Sequence, residues 1–325
     1  MHLLEQLKKH SKVVADSGDF ESIRKFKPLD STTNPSLIYT ASQDQKYIHL
    51  MDEALAYAHR KSTDTPKQIS LALERLFINF GLEILRIVPG RVSTELDARY
   101  SFDTEGSVKK ARELIALYKE SGIDRERILI KLASTWEGIK AAEILTKEGI
   151  HCNMTLLFSM PQAIACAEAG VQLVSPFVGR ILDWYLKNQP GQTFTPEEEP
   201  GVLLVKEIYN YYKKFGYKTE IMAASFRNTG EILALSGCDL MTIAPSFLGE
   251  LEKTEGVVEK KLDIEKAKTS ELVKMVMDQK QFRWLLNENE MAAEKLAEGI
   301  RKFTEDIVKL ESLLLKRYIG KYETL

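Results

Sequence analysis

The chain has 325 residues, and its 45 lysines and arginines against 47 aspartates and glutamates give a formal net charge of −2. This balance argues against a dedicated nucleic-acid-binding surface, which normally carries a basic excess. No apolar run approaches the roughly 18 residues of a membrane span, and charged residues interrupt the start of the chain, where a signal peptide would be apolar. The three cysteines form no C-x-x-C pair and suit a reducing compartment. We therefore expect a cytoplasmic protein whose partners are neither nucleic acids nor membranes.

Short apolar segments recur along the chain and are separated by longer helical patterns. Several of these segments are apolar on both faces, which is typical of strands in a parallel sheet covered by helices. The predicted strands are Lys12–Asp16, Asp30–Thr33, Arg91–Asp97, Ile128–Ala133, Cys152–Leu157, Gln172–Pro176, Glu220–Ser225 and Leu240–Ala244.

Several of the intervals between strands hold a helical pattern that is followed directly by a glycine, where a left-handed residue ends a helix. Eight strands with intervening helices predict one domain, residues 1–325, with the fold of a (β/α)8 TIM barrel. An open, doubly wound sheet shares this alternation, but no G-x-G-x-x-G follows any strand, so we favour the barrel. The glycines in question are Gly122, Gly149, Gly170, Gly216 and Gly237.

Two helices are expected outside this alternation, one at the N-terminus and a long one at the C-terminus. Apolar residues at alternating spacings of four and three predict an amphipathic helix over residues 290–318 as an extension of the barrel. We expect it to pack across the outside of the barrel, and a contact with a second subunit is the alternative. The stripe consists of Leu296, Ile300, Phe303, Ile307, Leu310 and Leu314.

Polar residues gather at the predicted carboxyl ends of the strands, where barrel enzymes carry their chemistry. The most informative is Lys131, which interrupts an otherwise apolar strand. Burying an ammonium group is costly, and this favours the free amine that attacks a carbonyl to form an imine. The alternatives are a buried ion pair with Glu95 or Asp16, or a side chain that reaches solvent. The whole set is Asp16, Thr33, Asn34, Glu95, Lys131, Asn153, Thr155, Ser175, Ser225 and Arg227.

The two acids each have a competing explanation. Asp16 ends a strand, where an aspartate often caps the next helix, but Asp19 is better placed for capping, which leaves Asp16 for acid–base work. Near Glu95, Asp97 is an equally possible buried acid, or it pairs with Arg99.

Asn34 precedes a proline, which holds the backbone of Asn34 extended and therefore fixes the direction of its side chain. An ordinary Asn-Pro turn is the alternative.

Arg180 and Arg227 follow late strands, where barrels bind phosphate, although a surface salt bridge would explain either one alone. The five histidines show no ligand spacing, so we expect no metal.

With these residues in view, the sequence resembles the transaldolases of the bacterial and eukaryotic type, from about Ser11 to Phe303. Ala223 departs from the resemblance, because a glycine is expected there, and this change would tighten the pocket slightly. Residues 250–287 resemble the family poorly. The segments that carry the resemblance are Val13–Asp19, Thr32–Leu37, Gly90–Arg99, Ile128–Gly138, Asn153–Ser159, Val174–Trp184, Ala224–Asn228 and Lys295–Phe303.

The resemblance implies transfer of a dihydroxyacetone unit between sugar phosphates in the pentose phosphate pathway, by a homodimer without a cofactor. It implies that Lys131 forms the imine, that Asp16 moves the proton during carbon–carbon cleavage, and that Glu95 and Thr155 hold a water. The residues implied to bind substrate are Thr33, Asn34, Asn153, Ser175 and Phe177 around the three-carbon unit, and Arg180, Ser225 and Arg227 around the phosphate.

Two other functions stay open. One is an aldolase that cleaves fructose 6-phosphate without transferring the three-carbon unit. The other is a non-catalytic barrel that binds sugar phosphates; such a protein would be expected to lose the lysine or an acid, and this chain retains them all.

Overall fold

The computed structural model describes residues 1–323, and eight parallel strands close into a barrel in chain order. The closure is made by β1 and β8, which pair in parallel like all the other neighbours. This confirms the predicted (β/α)8 fold over the open sheet. The strands are β1 Lys12–Asp16, β2 Asp30–Thr32, β3 Val92–Glu95, β4 Ile128–Ala133, β5 Cys152–Leu157, β6 Leu173–Pro176, β7 Glu220–Ala223 and β8 Leu240–Ile243. Residues 324 and 325, which the predicted domain includes, lie outside the described residues.

Some predicted strands were too long at their carboxyl ends. The third strand stops at Glu95 because Asp97 accepts a hydrogen bond from the backbone N–H of Arg99 and begins a 3₁₀ turn. The seventh stops at Ala223, and Ser225 has a left-handed backbone with φ of +61°. The five glycines expected after helices all have positive φ, as predicted.

Helices surround the barrel, and two extra helices in the first half separate β2 from β3. Within residues 1–323, no helix is long and apolar enough to cross a membrane. The helices are α1 Leu3–Leu7, α2 Phe20–Phe26, α3 Pro35–Ser42, α4 Ile48–Lys61, α5 Thr65–Leu85, α6 Thr104–Glu120, α7 Trp136–Lys147, α8 Met160–Glu168, α9 Val178–Asn188, α10 Pro200–Lys214, α11 Thr229–Ala234, α12 Pro245–Lys253, α13 Ile264–Lys268, α14 Gln279–Glu288 and α15 Glu290–Tyr318.

The interior of the barrel has two different layers, because alternate residues of each strand point inward. Toward the amino-terminal ends of the strands the inward side chains are apolar and buried: Val14, Leu129, Leu173, Met222 and Leu240. Two residues further along β1, β4, β6 and β8 the inward side chains are instead Asp16, Lys131, Ser175 and Thr242. The apolar layer therefore forms the floor of a polar cavity at the carboxyl end.

The long C-terminal helix α15 packs on the barrel along its whole length, and its two halves touch different parts. Leu310 and Leu314 belong to the main core, where α15 contacts α3 and α5. Ile300 and Phe303 join a separate buried cluster with Phe158 and Phe177 at the carboxyl end of the strands. The first half of α15 thus packs behind Phe177, which lines the polar cavity.

Candidate active site

A cavity opens at the carboxyl ends of the strands and collects most of the predicted site residues. Its lining also includes Thr32 and Thr242, which the sequence had not singled out. The lining residues are Asp16, Thr32, Asn34, Lys131, Ser175, Phe177, Arg180, Met222, Ala224, Ser225 and Thr242.

Lys131 lies at the centre of a row across three strands, in register with Glu95 of β3 and Asn153 of β5. Its Nζ lies 3.0 Å from Oε2 of Glu95 and donates a hydrogen bond of 3.1 Å to the carbonyl oxygen of Thr33. Both charged side chains are buried, with Lys131 only 4% exposed. The ion pair considered from the sequence is therefore present, and it holds the amine at the wall of the cavity.

The two acids beside Lys131 are placed differently. Glu95 pairs with the lysine, whereas Asp16 accepts a hydrogen bond of 2.9 Å from the hydroxyl of Thr32. Burial raises the pKa of both carboxyl groups, and the charge of Lys131 opposes that rise. Because of the raised pKa, each group exchanges protons closer to neutral pH than an exposed carboxyl does.

The competing explanations for the acids are resolved by their contacts. Asp19 caps α2 by accepting from the N–H of Ser22, as expected, so Asp16 is free of that role. Asp97 pairs with Arg99 at 2.5 Å, so Glu95 is the acid that faces the lysine.

A chain of hydrogen bonds crosses β6, β5 and β3 beneath the cavity. Ser175 donates to Oδ1 of Asn153 at 2.7 Å, and Nδ2 of Asn153 donates to the hydroxyl of Ser93 at 3.0 Å. The hydroxyl of Thr155 is buried and has no protein partner in residues 1–323. A buried hydroxyl without a partner fits a site that holds water or substrate. Ser93 was missed, although it lies two residues before Glu95 and therefore points to the same side of β3.

Asn34 and Thr33 both make structural contacts as well. Asn34 is the N-cap of α3 and accepts from the N–H of Leu37 at 2.9 Å, while it also lines the cavity. The hydroxyl of Thr33 donates to the carbonyl of Ser93, so only its own carbonyl reaches Lys131. The neighbouring Thr32 has its hydroxyl in the cavity instead.

The two arginines of the predicted phosphate site differ in burial and in ion pairing. Arg180 lies over the rings of Phe177 and Phe303, at 4.8 and 5.4 Å from their centroids. It forms no salt bridge within the described part of the chain, and burial together with the nearby charge of Arg227 lowers its pKa. Arg227 is exposed and paired with Asp183, Nε to Oδ1 at 3.0 Å and Nη2 to Oδ2 at 2.7 Å. A surface salt bridge therefore does describe Arg227, but it does not describe Arg180.

The alanine at position 223 does not tighten the pocket, contrary to expectation. Met222 and Ala224 face the cavity, whereas Ala223 belongs to the outer core with Met241 and Ile243. The strand alternates its side chains, so position 223 points toward the surrounding helices.

The architecture is that of a barrel enzyme, with a floor of apolar side chains and reactive groups gathered at the carboxyl ends of the strands. Residues 13–314 match the family described as Transaldolase/Fructose-6-phosphate aldolase. The chain belongs to this family. The match runs through residues 250–287, where the sequence had resembled the family poorly.

Relatives from distant organisms are similar over almost the whole chain. The chain is 60% identical to a probable transaldolase of Drosophila melanogaster, over 98% of this chain and 96% of that protein. It is 57% identical to the transaldolase of Homo sapiens, over 97% of this chain and 94% of the relative. It is 58% identical to the transaldolase of Protochlamydia amoebophila, over 97% and 98%.

Proposed function

We propose that the chain is a transaldolase of the non-oxidative pentose phosphate pathway. It would move a dihydroxyacetone unit from sedoheptulose 7-phosphate or fructose 6-phosphate to glyceraldehyde 3-phosphate or erythrose 4-phosphate. The observation that carries the proposal is the buried Lys131, 3.0 Å from Glu95, in one cavity with Asp16 and Arg180. The sequence of the chain is also similar to that of relatives named transaldolase over nearly their full length, which supports the same conclusion.

In the proposed reaction, Lys131 attacks the C2 carbonyl of the ketose phosphate. Glu95 takes the proton that the amine gives up, and a water held by Glu95 and Thr155 carries protons as the carbinolamine loses its hydroxyl. The Thr155 hydroxyl, which has no hydrogen-bond partner among residues 1–323, supports that water site. Asp16 then accepts the proton of the C4 hydroxyl as the C3–C4 bond breaks, and the iminium nitrogen takes up the electron pair.

The second half runs in reverse with a new aldehyde. The enamine carbon attacks the aldose phosphate, Asp16 returns a proton to the new hydroxyl, and water releases the product from Lys131. Between the halves the three-carbon unit is held by Asn34, Asn153 and Ser175, whose amides and hydroxyls match its hydroxyl groups.

The phosphate is proposed to bind between Arg180, Ser225 and Arg227. Among the described residues the buried guanidinium of Arg180 has no carboxylate partner, and Arg227 lies close enough for its charge to act on Arg180. An anion between two guanidinium groups removes their repulsion and receives charge-assisted hydrogen bonds.

The family description also names fructose-6-phosphate aldolase, so cleavage without transfer is the second candidate. The test is to supply fructose 6-phosphate with and without erythrose 4-phosphate. A transaldolase gives sedoheptulose 7-phosphate only with the acceptor, and releases little dihydroxyacetone without it. Free dihydroxyacetone at a rate equal to that of transfer would favour the aldolase. Borohydride with donor alone, followed by peptide mapping, should place a three-carbon adduct on Lys131.

Two further parts of the proposal concern the protein's assembly and location. We propose a homodimer, supported by apolar side chains left exposed on α15, namely Val308 and Leu315. Sedimentation of the purified chain tests this.

We propose the cytoplasm as the location of the protein, supported by three buried free cysteines. Fractionation of the source cells tests that part.

A further inference from the structure

Two buried glutamates lie behind the loop formed by residues 225–228, which carries Ser225 and Arg227. Glu199 precedes α10 and Glu231 lies in α11, and their exposed fractions are 5% and 0%. One oxygen of each is tied to the loop. Oε2 of Glu231 accepts the backbone N–H of Arg227 at 2.6 Å, and Oε1 of Glu199 accepts from Nδ2 of Asn228 at 3.1 Å.

The other oxygen of each carboxyl group is buried and receives no hydrogen bond from any described donor. Asn228 contacts both residues: its Nδ2 donates to Glu199, and its Oδ1 accepts from the backbone N–H of Glu231 at 2.8 Å. Ionised carboxylates only accept hydrogen bonds, so two neighbouring buried carboxyl oxygens that lack other donors satisfy each other only when one group carries a proton. Burial and the neighbouring Glu199 raise the pKa of Glu231 to about 8.

The cations near Glu199 and Glu231 contact other groups and do not neutralise the charge of the two carboxyl groups. Lys206 of α10 donates to the carbonyl oxygen of Glu197, and Lys261 contacts the carboxylates of Glu197 and Glu259. On the remaining sides, Arg227 pairs with Asp183 of α9, and Glu250 of α12 accepts from Thr229. Within residues 1–323 no cation forms a salt bridge with Glu199 or Glu231, so the proton itself removes one of the two charges.

We infer that Glu199 and Glu231 share one proton and act as positioning residues for the phosphate-binding loop, an inference that rests on the proposed function. They act through backbone and amide contacts and touch no substrate. When the proton is lost, two adjacent buried charges repel, and the bonds to Arg227 and Asn228 loosen. The pair therefore couples phosphate binding to pH.

The loop has little freedom to absorb such a movement. Its first residue, Ser225, holds a left-handed backbone, and the carbonyl of Ser225 accepts from the N–H of Gly179 at 2.9 Å. A Cβ at position 179 would lie 2.5 Å from both Ser225 O and Arg227 Cγ. Arg180 follows directly on Gly179, so a shift of the loop disturbs both proposed phosphate ligands together.

The experiment compares Glu231→Gln, Glu231→Ala and the wild type between about pH 6.5 and about pH 9. For the wild type, KM for fructose 6-phosphate should rise about fivefold or more across this range, because a charged pair loosens the loop. Glutamine donates an N–H to Glu199 and accepts from Arg227 without titrating, so its KM should stay near the low-pH value. Alanine supplies neither contact, and KM should be about tenfold higher at every pH. Glu207→Gln, on the exposed side of α10, is the matched control and should follow the wild type.

Borohydride trapping with unphosphorylated dihydroxyacetone separates this effect from titration at Lys131. Its pH dependence should be the same in all four proteins, since the loop holds only the phosphate. The inference is overturned if Glu231→Gln keeps the wild-type pH profile, or if the trapping yield changes in parallel with KM.

The pH dependence of Tm, measured without substrate, tests the shared proton even if the proposed function is wrong. Glu231 binds its proton more tightly in the folded than in the unfolded chain, so the wild type should lose stability as pH rises from about 4.3 toward about 8. The Tm of Glu231→Gln should fall less over this range, because Asp16 and Glu95 still gain charge but residue 231 does not. A steeper decline of the wild type than of Glu231→Gln, without any transaldolase activity, would support the shared proton and refute the function, and equal Tm profiles would refute the shared proton.

Discussion

The two ends of the barrel differ in how completely the charge of the arginine beside them is paired. At the amino-terminal end, Arg91 is bound on both sides, 2.8 Å from a carboxylate oxygen of Asp30 and 2.8 Å from one of Glu220, and Lys12 adds a further contact to Glu220. At the carboxyl end, Arg180 has no carboxylate partner among the described residues.

The same contrast holds for the polar groups near the cavity. The hydroxyl of Thr155 is buried and has no partner in the described part of the chain, and burial leaves Asp16 with a raised pKa. Buried polar groups are normally satisfied, so the exceptions mark places where another molecule completes the contacts. The network around Arg91 therefore stabilises the fold, and we propose that Asp16, Thr155 and Arg180 at the carboxyl end serve the reaction.

Removing the amine of Lys131 should have the largest effect on activity. Lys131→Met leaves an apolar side chain of similar length and no nucleophile, so turnover should fall by more than about 10⁴-fold and borohydride should trap no adduct. Rates of transfer and mass spectrometry of the trapped protein measure both. Lys295→Met, a buried lysine of α15 that pairs with Glu298, is the control and should still form the adduct. Normal turnover in Lys131→Met would exclude the imine at this position.

Asp16→Ala should separate imine formation from carbon–carbon cleavage. The lysine remains, so borohydride should still trap the donor, but without the proton acceptor transfer should slow by about 10²–10⁴-fold. Single-turnover kinetics with fructose 6-phosphate distinguish the two steps. Asp19→Ala removes a helix cap next to the site and should lower Tm with little change in the cleavage rate. If Asp16→Ala turned over at the normal rate, Asp16 would have a structural role.

The two arginines should differ in the size of their effect, because Arg227 is already paired with Asp183, whereas Arg180 has no salt bridge within residues 1–323. Arg180→Ala should reduce kcat/KM for phosphorylated donors by about 100-fold, and Arg227→Ala by about 10-fold. Most of the loss should appear in KM, and imine formation with free dihydroxyacetone should be spared. Arg227→Lys should recover only part, since a lysine lacks the planar fork. Equal losses for phosphorylated and unphosphorylated donors would mean that the arginines support the fold.

Most of the architecture could be predicted from the sequence, because the pattern of strands and terminating glycines repeats regularly. The residue types at the strand ends also placed Lys131, Asp16 and Arg180 in one cavity. The strand limits were less predictable. They depend on local contacts, such as the bond between Asp97 and the N–H of Arg99, that a hydrophobic pattern does not contain.

Contacts between distant parts of the chain were the main omission. Ser93 and Thr242 are ordinary strand residues in sequence, and only barrel closure brings the hydroxyl of Thr242 to 2.6 Å from that of Thr32. The pairing of Glu199 with Glu231 was invisible for the same reason, since a loop glutamate and a helical glutamate carry no shared motif. The resemblance to a family supplied roles, but it did not reveal which arginine is already paired.

The smallest catalytic effect is expected at the other end of the barrel, where Arg91→Met should destabilise the protein without changing its chemistry. The variant leaves the carboxylates of Asp30 and Glu220 without their shared partner, and breaking this partly buried network costs up to about 3 kcal/mol. Denaturant unfolding measures that loss, and transfer kinetics well below Tm should match the wild type. Arg112→Met, whose partner Glu148 lies on the surface, is the control and should leave Tm almost unchanged. Since the apolar layer separates Arg91 from the cavity, a large fall in kcat with Arg91→Met would show that charge at the two ends is coupled. The division between a stabilising end and a reactive end would then be wrong.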